Sequence, residues 1–363
     1  MNISHGLVLV ASFAAAAVMT PLVRALAVRC GIFDHPDRER KRHARPIPLW
    51  GGMALGITLA LMGVVAWRMG FLTDAKIHSS QLIGIFLSAA VLIVGGVLDD
   101  AFTLRPWQQF FFPLAAIFIS LASGIGVSYL TNPFTAGTGP YGRALVYIAP
   151  WAGSLITGLW LLGMTYTTKL LDGLDGLVTG MGVIGGVILF VVSLYWDAPL
   201  SGTSYIALML AGACGGFLIY NFYPASVYLG EGGSTLIGYF LGVLSIISGA
   251  KIATTLLIMG IPILDVAWVI VRRVFFERHS FTQGDRKHLH FRLLDAGCSH
   301  RQAVLIMWGL TAFFGTASLF LQSTQKAFAL AVLAVVMLLL AFVVLFRQRV
   351  VYHKDSTSTI HDR

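Results

Sequence analysis

Eleven stretches of this 363-residue chain are apolar over about the 20 residues that a helix needs to cross the hydrocarbon core of a bilayer. They fall at roughly 5–28, 51–72, 81–98, 108–130, 145–168, 174–195, 203–221, 233–249, 252–271, 303–322 and 327–346. No water is present in lipid to satisfy backbone amides, so such stretches are read as helices. The expectation is an all-α polytopic membrane bundle of about eleven transmembrane helices. With 57% of residues hydrophobic and 11% charged, a soluble fold is excluded. A single integral membrane domain is expected over 1–350, with cytosolic loops at 29–50, 99–107, 169–176, 221–234 and 273–302 and a short polar cytosolic tail at 351–363. The start of the first stretch, Met1 to Gly6, has no Lys or Arg and no cleavage site follows, so it reads as a retained span. Cys30, Cys214 and Cys298 are scattered and without metal spacing, which points away from disulfides and zinc.

Charge orients the bundle. With the N-terminus outside, twenty of the 25 Lys and Arg fall in cytosolic segments, and the other five are Arg68, Lys76, Arg143, Lys251 and Lys326. That is the positive-inside pattern, and it predicts N-out, C-in. Of the 16 carboxylates only Asp74 and Asp197 fall outside, which places any chemistry on the cytosolic face. The net charge of +9 suits anionic headgroups and anionic substrates, with no nucleic-acid partner implied.

The polar residues gather where helices meet that face. The loop DHPDRERKRHARPIPLWGG, Asp34 to Gly52, ends in a Gly51-Gly52 pair that lets backbone approach a ligand or another helix, and it also serves as an ordinary topogenic loop. The third stretch ends VGGVLDDAFTL; Asp99 and Asp100 stand about 100° apart on a helix, so one is expected to face the bundle and the other solvent. Close carboxylates of this kind suit proton abstraction or Mg²⁺ binding. In KLLDGLDGLVTG, Asp172 and Asp175 share a face if helical, whereas Asp-Gly also makes turns. YNFYPASVYLGEGGS offers Asn221, Tyr228, Glu231 and Ser234, with Glu231 an oxygen ligand for a hard cation and glycines at 230, 232 and 233 permitting approach of a diphosphate. Asp265, seven residues before Arg272, is a carboxylate at membrane depth and is either functional or a polar packing partner. In GDRKHLHFRLLDAGCSHRQ, His288 and His290 diverge on a helix but share a side in extended backbone. With Arg286, Lys287 and Arg292 they suit phosphate binding better than zinc. Gly297 reads as a helix stop, and Ser299 with Gln302 as a capping box.

Taken in order, PxxGG, the DD pair, DGLDGL, NxxPAxxxxGxxGS, PxxDxxxxxxRR and DRxHxH resemble the polyprenyl-phosphate N-acetylhexosamine-1-phosphate transferases over roughly residues 30–300. The resemblance implies attack of a lipid phosphate oxygen on the β-phosphorus of a UDP-amino sugar, with release of UMP. It implies Mg²⁺ as cofactor, with Mn²⁺ a substitute. Asp99 would deprotonate or orient the lipid phosphate beside Asp100, and Glu231 would hold the metal. Asp172, Asp175, Asn221 and Tyr228 would form the nucleoside pocket, with Tyr228 stacking on uracil. His288, His290, Arg286 and Arg292 would bind the sugar-phosphate end. The loop DRKHLHFRLLDAG is similar to the branch that uses UDP-GlcNAc or a close relative and undecaprenyl phosphate in a bacterial plasma membrane to begin envelope glycans. Homodimerisation is left open.

The chain also departs from that family pattern. Tyr166 and Lys169 replace two Asn, Gln109 replaces a Lys, Glu231 replaces an Asp, and Phe291 replaces a frequent third His. The alternatives weighed are a phospho-MurNAc-pentapeptide translocase-like activity, an ion-coupled transporter built on residues such as Asp265, and a scaffold that has lost its chemistry.

Overall fold

In the computed structural model, which describes residues 2–34, 46–72, 77–136, 143–196, 201–248, 252–273 and 288–361, helix occupies every one of the eleven apolar stretches. In chain order these are α1 (Ile3–Cys30), α2 (Gly51–Arg68), α3 (Ser79–Phe102), α4 (Pro106–Ala122), α5 (Pro150–Leu171), α6 (Leu177–Trp196), α7 (Gly202–Asn221), α8 (Gly230–Ile247), the pair α9 (Ile252–Ile258) and α10 (Gly260–Arg272), then α12 (His300–Phe320) and α13 (Ser323–His361). A short α11 (Leu289–Asp295) precedes α12.

Eight of these helices are long and apolar enough to cross a membrane, and nine if the pair α9 and α10, bent by 78°, counts as one span. This makes the protein a multi-pass membrane protein. The expected number of eleven is higher because α4 has 17 residues. For its part, α5 carries Thr157, Thr165, Thr167, Thr168 and Lys169 and falls outside the apolar set. Gly260 and Pro262 stand at the break between α9 and α10, where Pro cannot donate the helical hydrogen bond.

Two small antiparallel sheets correct the expectation of a purely helical chain. β1 (Phe33–Asp34) pairs with β2 (Ile47–Pro48), and β3 (Tyr129–Ala136) pairs with β4 (Arg143–Tyr147). The second hairpin takes up the ends of two stretches read as spans, because its Tyr, Thr, Phe and Val residues are as apolar as a helix end yet favour strand.

Burial grades outward from α7 and α8. Each is 83% buried across its apolar window, whereas α13 is 17% buried and presents Leu338, Leu339 and Phe342 outward. A helix apolar all round belongs at the centre of such a bundle. Glycines set the closest approaches there: a Cβ on Gly52 would run into the backbone of Gly233, and one on Gly96 into that of Gly232. The first turn of α8 is thereby clamped between the start of α2 and the end of α3.

Candidate active site

Most of the polar motif residues among the described residues gather at one end of these helices, because alternate helices end or begin there. Asp99 and Asp100 close α3, Gln109 opens α4, Lys169 and Asp172 close α5, Asn221 closes α7, and Glu231 opens α8. The two adjacent aspartates turn toward different helices, and both are half-buried, so neither is the solvent-facing member expected from their spacing. Asp99 Oδ1 accepts from the Leu104 N–H at 2.8 Å and from Gln109 Nε2 at 2.9 Å. Asp100 Oδ1 accepts from the Glu231 N–H at 3.2 Å, and the Trp50 N–H also donates to this carboxylate. Asp100 therefore stands at the N-terminus of α8, where free N–H groups and the helix dipole favour a negative charge. Trp50 adopts a left-handed conformation with φ of 74°, a costly state for a bulky residue that its place beside Asp100 supports.

A chain of polar contacts runs from Asp99 across the site. Gln109 Oε1 accepts from Lys169 Nζ at 2.9 Å, and Lys169 Nζ is ion-paired with Glu231 Oε1. The Tyr166 ring lies 5.3 Å from the same ammonium, within cation–π range. Three of the departures from the family pattern, Gln109, Tyr166 and Glu231, thus gather around the ammonium of a fourth, Lys169. The fifth, Phe291, packs its ring 4.2 Å from that of His290.

Asp172 and Asp175 do not share a helix face, because α5 ends before the first and a turn at Gly176, with φ of 78°, precedes α6. Burial raises the Asp172 carboxyl well above its ordinary range, and the negative charges of Glu231, Asp100 and Asp175 add to the effect. Asp175 Oδ2 accepts from the Ala225 N–H at 2.9 Å and holds the loop between α7 and α8. Tyr228 is half-buried in that loop. Burial, then the charges of Asp175, Asp34 and Asp172, pushes its phenol up, so it stays protonated beside them. Its backbone accepts from the Gly51 N–H at 3.0 Å and donates to the Pro48 carbonyl at 2.9 Å, which joins the PxxGG motif to this loop. Asn221 is 4% exposed; Thr179 Oγ1 donates to its Oδ1 at 2.7 Å and its Nδ2 donates to the Val227 carbonyl at 3.1 Å. Its amide therefore shapes the loop that carries Tyr228.

The histidine motif docks on the same end. Asp265 is 2% exposed, accepts from the Leu289 N–H at 2.9 Å and pairs with His288 Nδ1 at 2.9 Å. His288 precedes α11 in extended backbone, and its ring stacks on that of His290 at 5.6 Å, so the two histidines share a side. His290 is fully buried, and a Cβ on Gly173 of the DGLDGL motif would meet its ring. Burial, then the charges of His288 and His300, lowers the His290 imidazole well below its ordinary range. Neither His290 ring nitrogen has a hydrogen-bond partner among the described residues. Arg292 is half-buried on α11. Arg286, most of the basic loop before α2, Asp74 and Asp197 lie outside the described residues. Gly297 follows α11 with φ of 92°, and Ser299 and Gln302 form the expected capping box.

Lys169, Gln109, Tyr166 and Trp50 belong to this site although motif reading did not assign them to it. Their signal was present in the departures from the pattern, but their partners are distant in sequence. Gln109 and Lys169 are 60 residues apart, and Asp100 and Glu231 are 131. Between α3, α4 and α8 a narrow pocket is lined by Leu92, Phe112 and Pro113 and by Asp99, Gln109 and Glu231. It joins an apolar wall to the carboxylates. Among the described residues no three Asp, Glu, His or Cys side chains stand close enough to hold a metal ion by themselves; Asp99 and Glu231 are oxygen donors of the kind a hard cation takes, and Lys169 supplies the positive charge beside Glu231.

The model of glycosyl transferase family 4 matches residues 82–249. A probable undecaprenyl-phosphate N-acetylglucosaminyl 1-phosphate transferase of Bacillus subtilis is 29% identical over 90% of this chain and 87% of that protein. The decaprenyl-phosphate N-acetylglucosaminephosphotransferase of Mycobacterium tuberculosis is 32% identical over 84% of this chain and 80% of its own. A phospho-N-acetylmuramoyl-pentapeptide-transferase of Pelotomaculum thermopropionicum is 30% identical over 73% and 76%. The matched span begins in α3, ends just past α8 and so contains Asp99, Lys169, Asp172 and Glu231. On these grounds the chain belongs to glycosyl transferase family 4, the polyprenyl-phosphate N-acetylhexosamine-1-phosphate transferases.

Proposed function

We propose that the protein transfers GlcNAc-1-phosphate from UDP-GlcNAc to undecaprenyl phosphate and releases UMP, as the first membrane step of a bacterial envelope polysaccharide. The observation that carries this reading is the narrow pocket between α3, α4 and α8, where an apolar wall of Leu92, Phe112 and Pro113 meets the acids Asp99 and Glu231. An acceptor with a prenyl tail and a phosphate head needs that combination. The relatives whose names state polyprenyl-phosphate N-acetylglucosamine phosphotransfer support the same donor group and acceptor.

In the reaction a lipid phosphate oxygen forms a bond to the β-phosphorus of the donor, and the bond from that phosphorus to the bridging oxygen breaks, so that UMP leaves. Such transfers depend on positioning and charge neutralisation more than on covalent help. Asp99, whose Oδ1 is held by Gln109 and the Leu104 N–H, orients the acceptor phosphate. Asp100 fixes the first turn of α8 and with it Glu231. Glu231 is the hard oxygen donor that would hold Mg²⁺, or Mn²⁺ in its place. The bound ion would neutralise charge developing on the diphosphate. Asp172, Asp175, Asn221 and Tyr228 shape the nucleoside pocket, where Tyr228 supplies a ring to stack on uracil. His288, His290 and Arg292, with Arg286 from the adjoining loop, take the sugar-phosphate end. The positive-inside asymmetry supports an N-out, C-in topology with this site on the cytosolic face.

Detergent-solubilised protein supplied with radiolabelled UDP-GlcNAc, undecaprenyl phosphate and Mg²⁺ should yield labelled lipid and an equal amount of UMP. A panel of UDP-N-acetylhexosamines that all fail to label the lipid would sink the proposal.

A further inference from the structure

Lys169 lies two residues before the end of α5, and its ammonium reaches three groups of the site. It is ion-paired with Glu231 Oε1, donates to Gln109 Oε1 at 2.9 Å and lies 5.3 Å from the centre of the Tyr166 ring. Gln109 in turn donates to Asp99 Oδ1 at 2.9 Å. One side-chain amide therefore ties the ammonium to the carboxylate that orients the acceptor, while the ammonium itself occupies the carboxylate assigned to the cation.

Those two occupants of Glu231 compete. An ammonium taking a carboxylate lone pair withholds it from a metal, and two cations on one carboxylate repel. The pair is mostly buried, with Lys169 15% and Glu231 22% exposed, so water screens the competition little. Lysine is also the side chain suited to release, a compact charge with three donors on a flexible stem. Gln109 satisfies only one of those donors. When Glu231 is surrendered, the ammonium keeps its tether to Gln109 and has donors to spare next to Asp99.

Building on the transferase reading, we infer that Lys169 is a displaceable counterion, holding Glu231 until the divalent cation arrives and then binding the acceptor phosphate beside Asp99. Cation and acceptor then bind cooperatively. Each relieves a cost the other would meet alone, and thermodynamic linkage makes the effect reciprocal.

The test titrates Mn²⁺ into full-length protein in nanodiscs and reads free and bound ion by electron paramagnetic resonance, with and without farnesyl phosphate. Without lipid, Lys169→Met should bind Mn²⁺ about tenfold tighter than the unaltered protein, the worth of one charge-assisted bond removed from Glu231. Farnesyl phosphate should tighten Mn²⁺ binding several-fold in the unaltered protein and scarcely at all in Lys169→Met. Lys169→Arg, which keeps the charge, should retain the weak lipid-free binding, and Glu231→Gln should lose the site. Thermal unfolding of each variant confirms that it is folded. Mn²⁺ binding in Lys169→Met no tighter than in the unaltered protein, or an equal response of both to farnesyl phosphate, overturns the inference. If the unaltered protein still makes labelled lipid in that event, the transferase reading stands without it; absence of labelled lipid would sink the transferase reading itself.

Discussion

Asp265 offers the sharpest test of how the histidine segment is held. Its carboxylate takes the Leu289 N–H and His288 Nδ1, both at 2.9 Å, and the His288 and Asp265 side chains are 5% and 3% exposed. Solvent screening is therefore slight, and no discount of the surface-pair kind applies. Asp265→Ala removes both bonds and leaves two buried donors unpaired, which costs about 3–5 kcal/mol. The loss falls on docking of α11 rather than on the whole bundle, because Asp265 binds only the start of that helix. A local penalty of about 3 kcal/mol raises the population of the undocked form by about a hundredfold. Asp265→Asn should cost only about 1 kcal/mol, since its oxygen still accepts from Leu289 and the ring proton of His288 can move to Nε2 to receive the new N–H. Hydrogen exchange of peptides covering 288–296, measured beside transfer kinetics, reads both effects. Wild-type protection of that segment in Asp265→Ala, with wild-type turnover, would refute the reasoning.

Asp99→Asn and Glu231→Ala should each lower turnover by about a hundredfold to a thousandfold or more, while size-exclusion profiles and thermal midpoints stay near those of the unaltered protein. Gly96→Ala drives a methyl into the backbone of Gly232 and should lower stability by about 1–3 kcal/mol in denaturant unfolding. Gly163→Ala, with no neighbour within 4 Å, should be neutral or slightly stabilising. Asn221→Ala strips partners from Thr179 and Val227 and should cost about 2 kcal/mol, seen as a lower thermal midpoint. His290 is held below its ordinary value of 6.5, so its docked form binds fewer protons than its undocked form. Docking is complete above about pH 6.5 and weakens as pH falls below it, a trend that limited proteolysis should show and His290→Gln should flatten.

The spans were legible because the bilayer demands apolar length and nothing subtler, and each of the eleven stretches became helix. What composition hid was local. Tyr129 and Val146 read as helix ends and are strand, since β-branched and aromatic residues satisfy both patterns over a few positions. The break before Gly260 was signalled by Gly and Pro, yet the apolar run continued through it. In the site, motif spacing located Asp99, Asp172 and Glu231 but not their partners. Asp265 and His288 were both noticed, while their bond spans 23 residues that carry no periodic signal. The spacing argument for Asp172 and Asp175 assumed helix, whereas the two Asp-Gly pairs end one helix and start another.

The same glycines that punctuate the motifs explain why so acidic a site keeps its shape. Asp99, Asp100, Asp172, Asp175 and Glu231 repel one another, and loops alone would let them separate. Here the first turn of α8 is pressed backbone to backbone against Gly52 of α2 and Gly96 of α3, closer than any side chain would permit. Asp100 reinforces the clamp by accepting the Glu231 N–H. The spacing of Asp99 and Asp100 from Glu231 is thereby set by helix packing rather than by the charges themselves. Held in this way, the carboxylates cannot relax their repulsion by moving apart. They relax it by holding a proton, as the raised Asp172 carboxyl does, or by pairing with positive charge, as Glu231 does with Lys169. A rigid frame of small residues thus holds the acids at a fixed spacing against their repulsion, and for this reason the glycines belong to the site as much as the acids do.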